Sequence, residues 1–329
     1  MAAAYDVAGI GNAIVDIIAP ASDEFLSERG LPKGGWTPCS LEQVQALYAE
    51  MAPGVEVSGG SAANSMAGLA SLGGRAAFVG KTAADALGEV FAHDIRAAGV
   101  AFDTPPLKDG PATGRCLVNV TADGQRTMHT YLGAANELSA ADVDPQVVAA
   151  AEIVYLEGYL FDVASARGAF RKAVDAARAA GRRTALTLAE AFLVQTWRDD
   201  LLAFIESGVD IVFANEGEVT TLFQTDFAGA LEALRRSTAI AAVTRSEKGS
   251  VILSGGETVA VPADPVGKVV DTTGAGDQYA AGFMFGLARG RPLAECGALG
   301  SMAAAEVISH YGPRPQVALA ELAKGCGLL

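Results

Sequence analysis

A chain of 329 residues that is half hydrophobic and 19% charged can bury one large α/β core or two ordinary ones, so length alone does not choose. Its 24 Lys plus Arg stand against 38 Asp plus Glu, a formal net charge of −14 that no basic run interrupts. That balance excludes nucleic acid as an expected partner and leaves any polyanionic ligand dependent on a local basic pocket.

The start, Met1-Ala-Ala-Ala-Tyr-Asp-Val, has no basic region ahead of an apolar stretch, and no apolar run approaches the ~20 residues of a membrane span. A cytoplasmic protein without membrane contact is expected. Val7–Ile18 reads as a strand into which Gly11-Asn12-Ala13-Ile14-Val15-Asp16 sets two polar side chains. In a strand, positions 12 and 16 share a face, so Asn12 and Asp16 could meet one ligand; a strand end with solvated polar residues is the other reading. Residues from about 13 to 40, and again from about 102 to 131, carry strand patterns joined by turns without an intervening helix. They are expected to pair into a small lid sheet that closes over substrate and excludes water.

Gly59-Gly60-Ser61-Ala62-Ala63-Asn64 opens a helical pattern over 61–72. The glycines permit close backbone approach, and Asn64, one turn in, offers a donor and an acceptor to a polyol; a loop with Ser61 as N-cap is the alternative. Strand-like runs follow at 76–80, 116–120, 153–156, 184–188, 211–214, 241–244 and 251–253, with helical patterns over 87–98, 165–180 and 231–236 between many of them. The alternation predicts a parallel sheet with helices on both faces and ligands at the carboxyl ends of its strands. No linker or internal repeat divides the chain, which reads as one unit over 1–329.

Asn215-Glu216-Gly217-Glu218 falls at one such strand end. Asn215 and Glu218 could order water around a magnesium ion, or could be a helix cap with first-turn glutamates. Thr244-Arg245-Ser246-Glu247-Lys248-Gly249 joins two strand patterns, and Arg126 lies in a turn; either arginine could neutralise phosphate. The most informative stretch is Asp271-Thr-Thr-Gly-Ala-Gly-Asp277, placed after strand-like Val269–Val270 and opening a helix to about 289. Small residues at a helix N-terminus let N–H groups converge on an anion, and Asp277 beside them suits proton removal from an attacking hydroxyl. An ordinary first-turn acid is the bland reading. Cys39, Cys116, Cys296 and Cys326 show no pairing or metal spacing and are expected as reduced core thiols; His93, His129 and His310 read as structural.

Taken in order, Gly11-Asn12…Asp16, Gly59-Gly60-Ser61-x-x-Asn64, Asn215-x-x-Glu218 and Asp271–Asp277 resemble the ribokinase-like, or phosphofructokinase-B type, kinases over nearly the whole chain. The resemblance implies a Rossmann-like α/β core with a small β lid. Further stretches are most similar to the adenosine kinase branch: Gly80…Asp85…Gly88, Thr113–Cys116, Leu132–Asn136, Tyr155–Gly158 and Gly312–Pro315. By that resemblance Asp277 is the base for a ribose 5′-hydroxyl, and Gly274, Ala275 and Gly276 form the anion hole. Asn12, Asp16, Gly59, Gly60, Ser61, Asn64 and Asn136 line the acceptor site, with Trp36, Tyr159 and Leu160 towards a base. Arg126 reaches the phosphates, Asn215, Thr244, Gly249 and Thr272 line the ATP site, and Glu218 with Asn215 organises Mg²⁺ through water. ATP, Mg²⁺ and a small nucleoside or sugar are the expected ligands, with a monovalent-ion requirement left open and a monomer expected. Acceptors other than adenosine (inosine, guanosine, free ribose) and a sensor without catalysis remain alternatives. Two residues depart from the family pattern: Ser246, where glycine is common, and Gln278, where a small residue is.

Overall fold

The computed structural model describes residues 3–329. Strand β1 (Tyr5–Ile10) passes through Gly11–Ala13 into β2 (Ile14–Pro20), followed by α1 (Asp23–Glu28), β3 (Trp36–Pro38), α2 (Leu41–Tyr48) and β4 (Val55–Gly59). Next come α3 (Ser61–Ser71), β5 (Ala76–Val79), α4 (Ala86–Ala97), β6 (Val100–Phe102) and the hairpin β7 (Thr113–Val120) and β8 (Arg126–Gly133). The middle of the chain alternates: α5 (Pro145–Ala149), β9 (Ala151–Glu157), α6 (Ala164–Ala179), β10 (Arg183–Thr187), α7 (Ala191–Thr196), α8 (Arg198–Glu206), β11 (Ile211–Asn215), α9 (Glu216–Phe223), α10 (Phe227–Ser237) and β12 (Ile240–Thr244). Strands β13 (Ser250–Ser254) and β14 (Glu257–Val261) precede α11 (Ala275–Ala288), α12 (Leu293–Val307) and α13 (Leu319–Gly325).

Nine strands form the main sheet in the order β14-β13-β12-β11-β10-β9-β1-β5-β6, parallel except for β13 and β14 at one edge. From β1 the chain builds outward through β5 and β6, and from β9 it builds the other way. The order therefore reverses between β1 and β9, which is where open α/β sheets form their ligand crevice. Along β9 the side chains alternate: Ile153 and Tyr155 join the core under α3, α11 and α12, while Val154 and Leu156 join the one under α6 and α8–α10. Five strands, β3-β8-β7-β2-β4, make the smaller sheet, whose own apolar cluster includes Ile14, Ile18, Cys116 and Val118.

Several expectations need correction. The run Val7–Ile18 is two strands in two sheets, β1 and β2, because Gly11–Ala13 carries the chain from one to the other. Asn12 is thus in no strand, and strand periodicity does not relate it to Asp16. The 13–40 stretch contains α1, capped by Ser22 over Phe25 N, and the second stretch is displaced, since Phe102 ends β6 of the main sheet and β8 runs on to Gly133. The smaller sheet also takes β4, which lies outside both expected stretches. Val269–Val270 forms no strand; Val270 N donates to the carbonyl of Ile308. Of the four thiols, Cys116 and Cys296 are buried, Cys39 is half-buried and Cys326 is exposed, so Cys326 is no core residue. No helix among the described residues is long and apolar enough to cross a membrane.

Candidate active site

The turn ahead of α11 is braced from within. Buried Asp271 accepts from Thr273 N at 2.9 Å, Thr273 Oγ1 at 2.6 Å and Gly312 N at 2.9 Å. Gly274 caps the helix at φ +79°, and a Cβ there would lie 2.6 Å from the backbone of Pro313, so both conformation and space demand glycine. First-turn N–H groups have no acceptor within their helix, which leaves this end of α11 open to an anion.

Asp277, in that first turn, is where two distant helices meet. Ser61 Oγ donates to its Oδ1 at 2.6 Å and Asn64 Nδ2 to its Oδ2 at 3.2 Å, both from the first turn of α3. Burial raises the Asp277 pKa, while these hydrogen bonds and the Arg126 charge oppose the rise. Ser61 is the first residue of α3 and Gly60 its cap, so Ser61 does not cap the helix; its hydroxyl serves the carboxylate instead. Gln278, the second departure, is fully buried, and its amide donates to the carbonyls of Asn64 at 3.1 Å and Pro313 at 2.9 Å. It therefore ties α3, α11 and the 312–315 segment together.

Asp16 and Asn12 both reach the Gly59–Gly60 turn, by tertiary packing rather than by strand spacing. A Cβ on Gly59 would lie 2.2 Å from the Asp16 carboxyl carbon, so that carboxylate lies where any larger residue would put its side chain. A Cβ on Gly60 would lie 2.0 Å from the Asn12 carbonyl oxygen. Asp16 is buried and its carboxylate has no hydrogen-bond donor among the described residues. Burial, with Asp277 and Asp271 nearby, pushes it up to about 7 against the pull of Arg314. Arg314 itself is lowered by burial to about 10, although Asp94 and Asp16 favour its charge. Its Nε donates to Asn64 Oδ1 at 3.4 Å, and its Nη1 lies 3.6 Å from Asp94.

From the smaller sheet, Arg126 Nη1 donates to the Thr272 carbonyl at 2.8 Å, so the first residue of β8 is tied to the α11 turn. Trp36 Nε1 donates to Thr130 Oγ1 at 3.0 Å, and its ring centroid lies 6.2 Å from that of Tyr159, tilted by 43°. Leu160 is buried in the core under α6. Asn136 is exposed on a 3-10 turn, Ala134–Glu137, where its carbonyl accepts from Ser165. It makes no hydrogen bond to the other candidate residues.

Asn215 and Thr244 are directly paired at the carboxyl ends of β11 and β12. Asn215 caps α9 in a reciprocal box: its Oδ1 accepts from Glu218 N at 2.9 Å, while Glu218 accepts from Asn215 N at 3.0 Å and Nδ2 at 2.6 Å. Burial first, then nearby Glu190, pushes Glu218 up to about 7 against the Asn215 hydrogen bond. Both Glu218 oxygens serve the cap and are sealed, so direct metal ligation does not fit, whereas exposed Asn215 with a carboxylate behind it suits a hydrated cation. Ser246, the other departure, adopts φ +52°, the left-handed conformation that explains why glycine is common there; Gly249 follows at φ +82°. Three residues near the site had no assigned role: Glu157, Arg314 and Glu190. The first two lie in motifs legible in the sequence, Tyr155–Gly158 and Gly312–Pro315, but their roles depend on contacts across the chain.

Residues 44–318 match the family model of pfkB carbohydrate kinases. Adenosine kinase of Saccharomyces cerevisiae is 28% identical, over 92% of this chain and 95% of the yeast protein. The structure of adenosine kinase from Sinorhizobium meliloti superposes with a TM-score of 0.95 at 53% identity, covering 98% of this chain and 99% of that one. A probable sugar kinase from Rhizobium etli CFN 42 gives 0.96 at 47% identity, covering 99% and 100%.

Proposed function

This chain belongs to the pfkB family of carbohydrate kinases, and from that premise we propose that it transfers the γ-phosphoryl group of ATP to the 5′-hydroxyl of adenosine. It is an ATP-dependent phosphotransferase with a hydroxyl acceptor, a nucleoside or sugar kinase. This assignment is supported by the convergence on Asp277 of the N-terminus of α11 and the Ser61–Asn64 first turn of α3. A nucleoside is favoured over a free sugar by the aromatic pair Trp36 and Tyr159, which offers flat surface to a base. The Sinorhizobium relative, at 53% identity, supports adenosine as that nucleoside.

In this mechanism Asp16 and Asn64 take hydrogen bonds with the ribose hydroxyls at the Gly59–Gly60 turn. Asp277 accepts the 5′-hydroxyl proton as that oxygen bonds to the γ-phosphorus, and the bond to the β–γ bridging oxygen breaks to release ADP. Gly274, Ala275 and Gly276 stabilise the equatorial oxygens with N–H groups and the positive end of α11. Arg126, anchored on Thr272, adds charge from the lid. Thr244, Gly249 and Thr272 line the nucleotide side. Mg²⁺ would neutralise phosphate charge; Asn215 and the carboxylate of Glu218 behind it would order its water shell. Burial is what makes Asp277 a better base than an ordinary aspartate, because a raised pKa lies closer to working pH.

The test is ADP release from Mg-ATP with adenosine, inosine, guanosine, cytidine and ribose. Turnover with adenosine well above the rest is expected. Preference for ribose would keep the kinase and overturn the role of Trp36.

A further inference from the structure

Glu157 ends β9 at the point where strand order reverses, sealed from solvent and without a cationic partner among the described residues. Its Oε2 accepts from Asn12 N at 3.2 Å and from Ala62 N at 2.8 Å, and its Oε1 accepts from Asn12 Nδ2 at 2.6 Å. One carboxylate therefore grips the residue that leaves β1 and the start of α3, the two segments that carry Asn12 and the Gly59–Gly60 turn. All three partners are donors, which a carboxylate satisfies with both of its oxygens; burial pushes Glu157 up to about 7 against these hydrogen bonds, so the carboxylate is the prevailing form at pH 8. Ala62 N also belongs to a helix N-terminus, where negative charge is favoured.

The same contact decides which way the Asn12 amide faces. Only Nδ2 can serve a carboxylate, so Oδ1 is the end left over, and it is buried without a donor. A buried acceptor in that condition is costly unless a ligand supplies the proton. Asp16, the neighbouring acceptor at the same glycine turn, is likewise without a donor. We propose that Glu157 is a positioning residue that sets the polarity of the Asn12 amide, so that Asn12 offers its carbonyl oxygen to a hydroxyl of the acceptor substrate. The inference rests on the acceptor site proposed above and deepens it: two fixed acceptors, Asn12 Oδ1 and Asp16, select a ligand whose hydroxyls donate, such as the vicinal diol of a ribosyl group.

Glu157→Gln keeps size and shape but puts one donor among donors. Its carbonyl can keep the two backbone N–H groups only if its NH₂ faces Asn12, whose amide must then turn and present Nδ2 to the ligand. Asn12→Asp with Glu157 unchanged sets two carboxylates against each other. The double variant pairs the new amide NH₂ at position 157 with the new carboxylate at position 12. An acceptor is again left over at position 12 to face the ligand, and mutual rescue is therefore expected.

Adenosine KM and kcat would be measured by ADP release for all three variants, with melting temperatures at pH 8. Glu157→Gln is expected to raise the adenosine KM about tenfold or more, with the ATP KM held within about threefold. The double variant is expected to recover most of that loss. An adenosine KM within about twofold of wild type for Glu157→Gln, or a double variant no better than the worse single one, overturns the proposal. Absence of adenosine turnover in the wild type sinks the acceptor assignment alone. The melting temperatures then judge the coupling without any acceptor: recovery of the Asn12→Asp loss in the double variant supports it, and additive losses overturn it.

Discussion

Ser61 Oγ lies 2.6 Å from Asp277 Oδ1, joining the first turn of α3 to the first turn of α11 across 216 residues of sequence. Asn64 adds a second bond to the same carboxylate. An acid buried between two helix N-termini is held by dipoles and hydrogen bonds that favour its charge, against a desolvation that opposes it. The balance of these effects raises the Asp277 pKa.

Replacing that acid tests its assigned role most directly. Asp277→Asn preserves shape and can still accept from Ser61, so adenosine binding measured by calorimetry is expected to stay within about fivefold while kcat falls about 10²–10⁴-fold. Wild-type turnover in the variant would remove Asp277 from the proton transfer.

Asp16 is expected to cost stability in return for binding. Its folded pKa, about 7, lies above the ordinary carboxylate value, so the folded state binds the extra proton and stability falls as pH rises from about 4 through about 7. Asp16→Asn removes that penalty: melting at pH 8 should rise by about 2–6 °C, with no gain at pH 4, while the adenosine KM increases. A gain of equal size at both pH values would show that the charge is not its source.

Gly59 is expected to be intolerant of one methyl group. Alanine would place its Cβ 2.2 Å from the Asp16 carboxyl carbon and force that side chain aside. Steady-state kinetics of Gly59→Ala should show the adenosine KM up about tenfold or more and the ATP KM nearly unchanged. Equal effects on both substrates would point to general unfolding of the cleft.

Arg126 links the smaller sheet to the turn ahead of α11 through the Thr272 carbonyl. Arg126→Ala should lower kcat about 10–10³-fold with a smaller change in adenosine affinity, and Arg126→Lys should restore little, since a lysine lacks the planar fork that can hold Thr272 and phosphate together. Full recovery with lysine would reduce the role to charge alone.

Runs of β-branched residues alternating with amphipathic helices determined the layered α/β architecture, because burial on both faces of a parallel sheet writes itself into local sequence. The helix-opening motifs at Gly59–Asn64 and Asp271–Asp277 were equally local: small residues followed by polar ones at a first turn. Tertiary structure alone decided what these pieces do together. The sheet change at Gly11–Ala13 is hidden because the mainly apolar residues 7–18 read as one strand, with Asn12 and Asp16 as polar insertions in it. Asn12 and Asp16 meet at Gly59–Gly60 only because β2 pairs with β4. The roles of Glu157 and Arg314 could not be read from the sequence because their partners, Asn12, Ala62 and Asn64, lie between 95 and 250 residues away. A buried polar group is given its function by the donors and acceptors that surround it, and chain order does not record which those are.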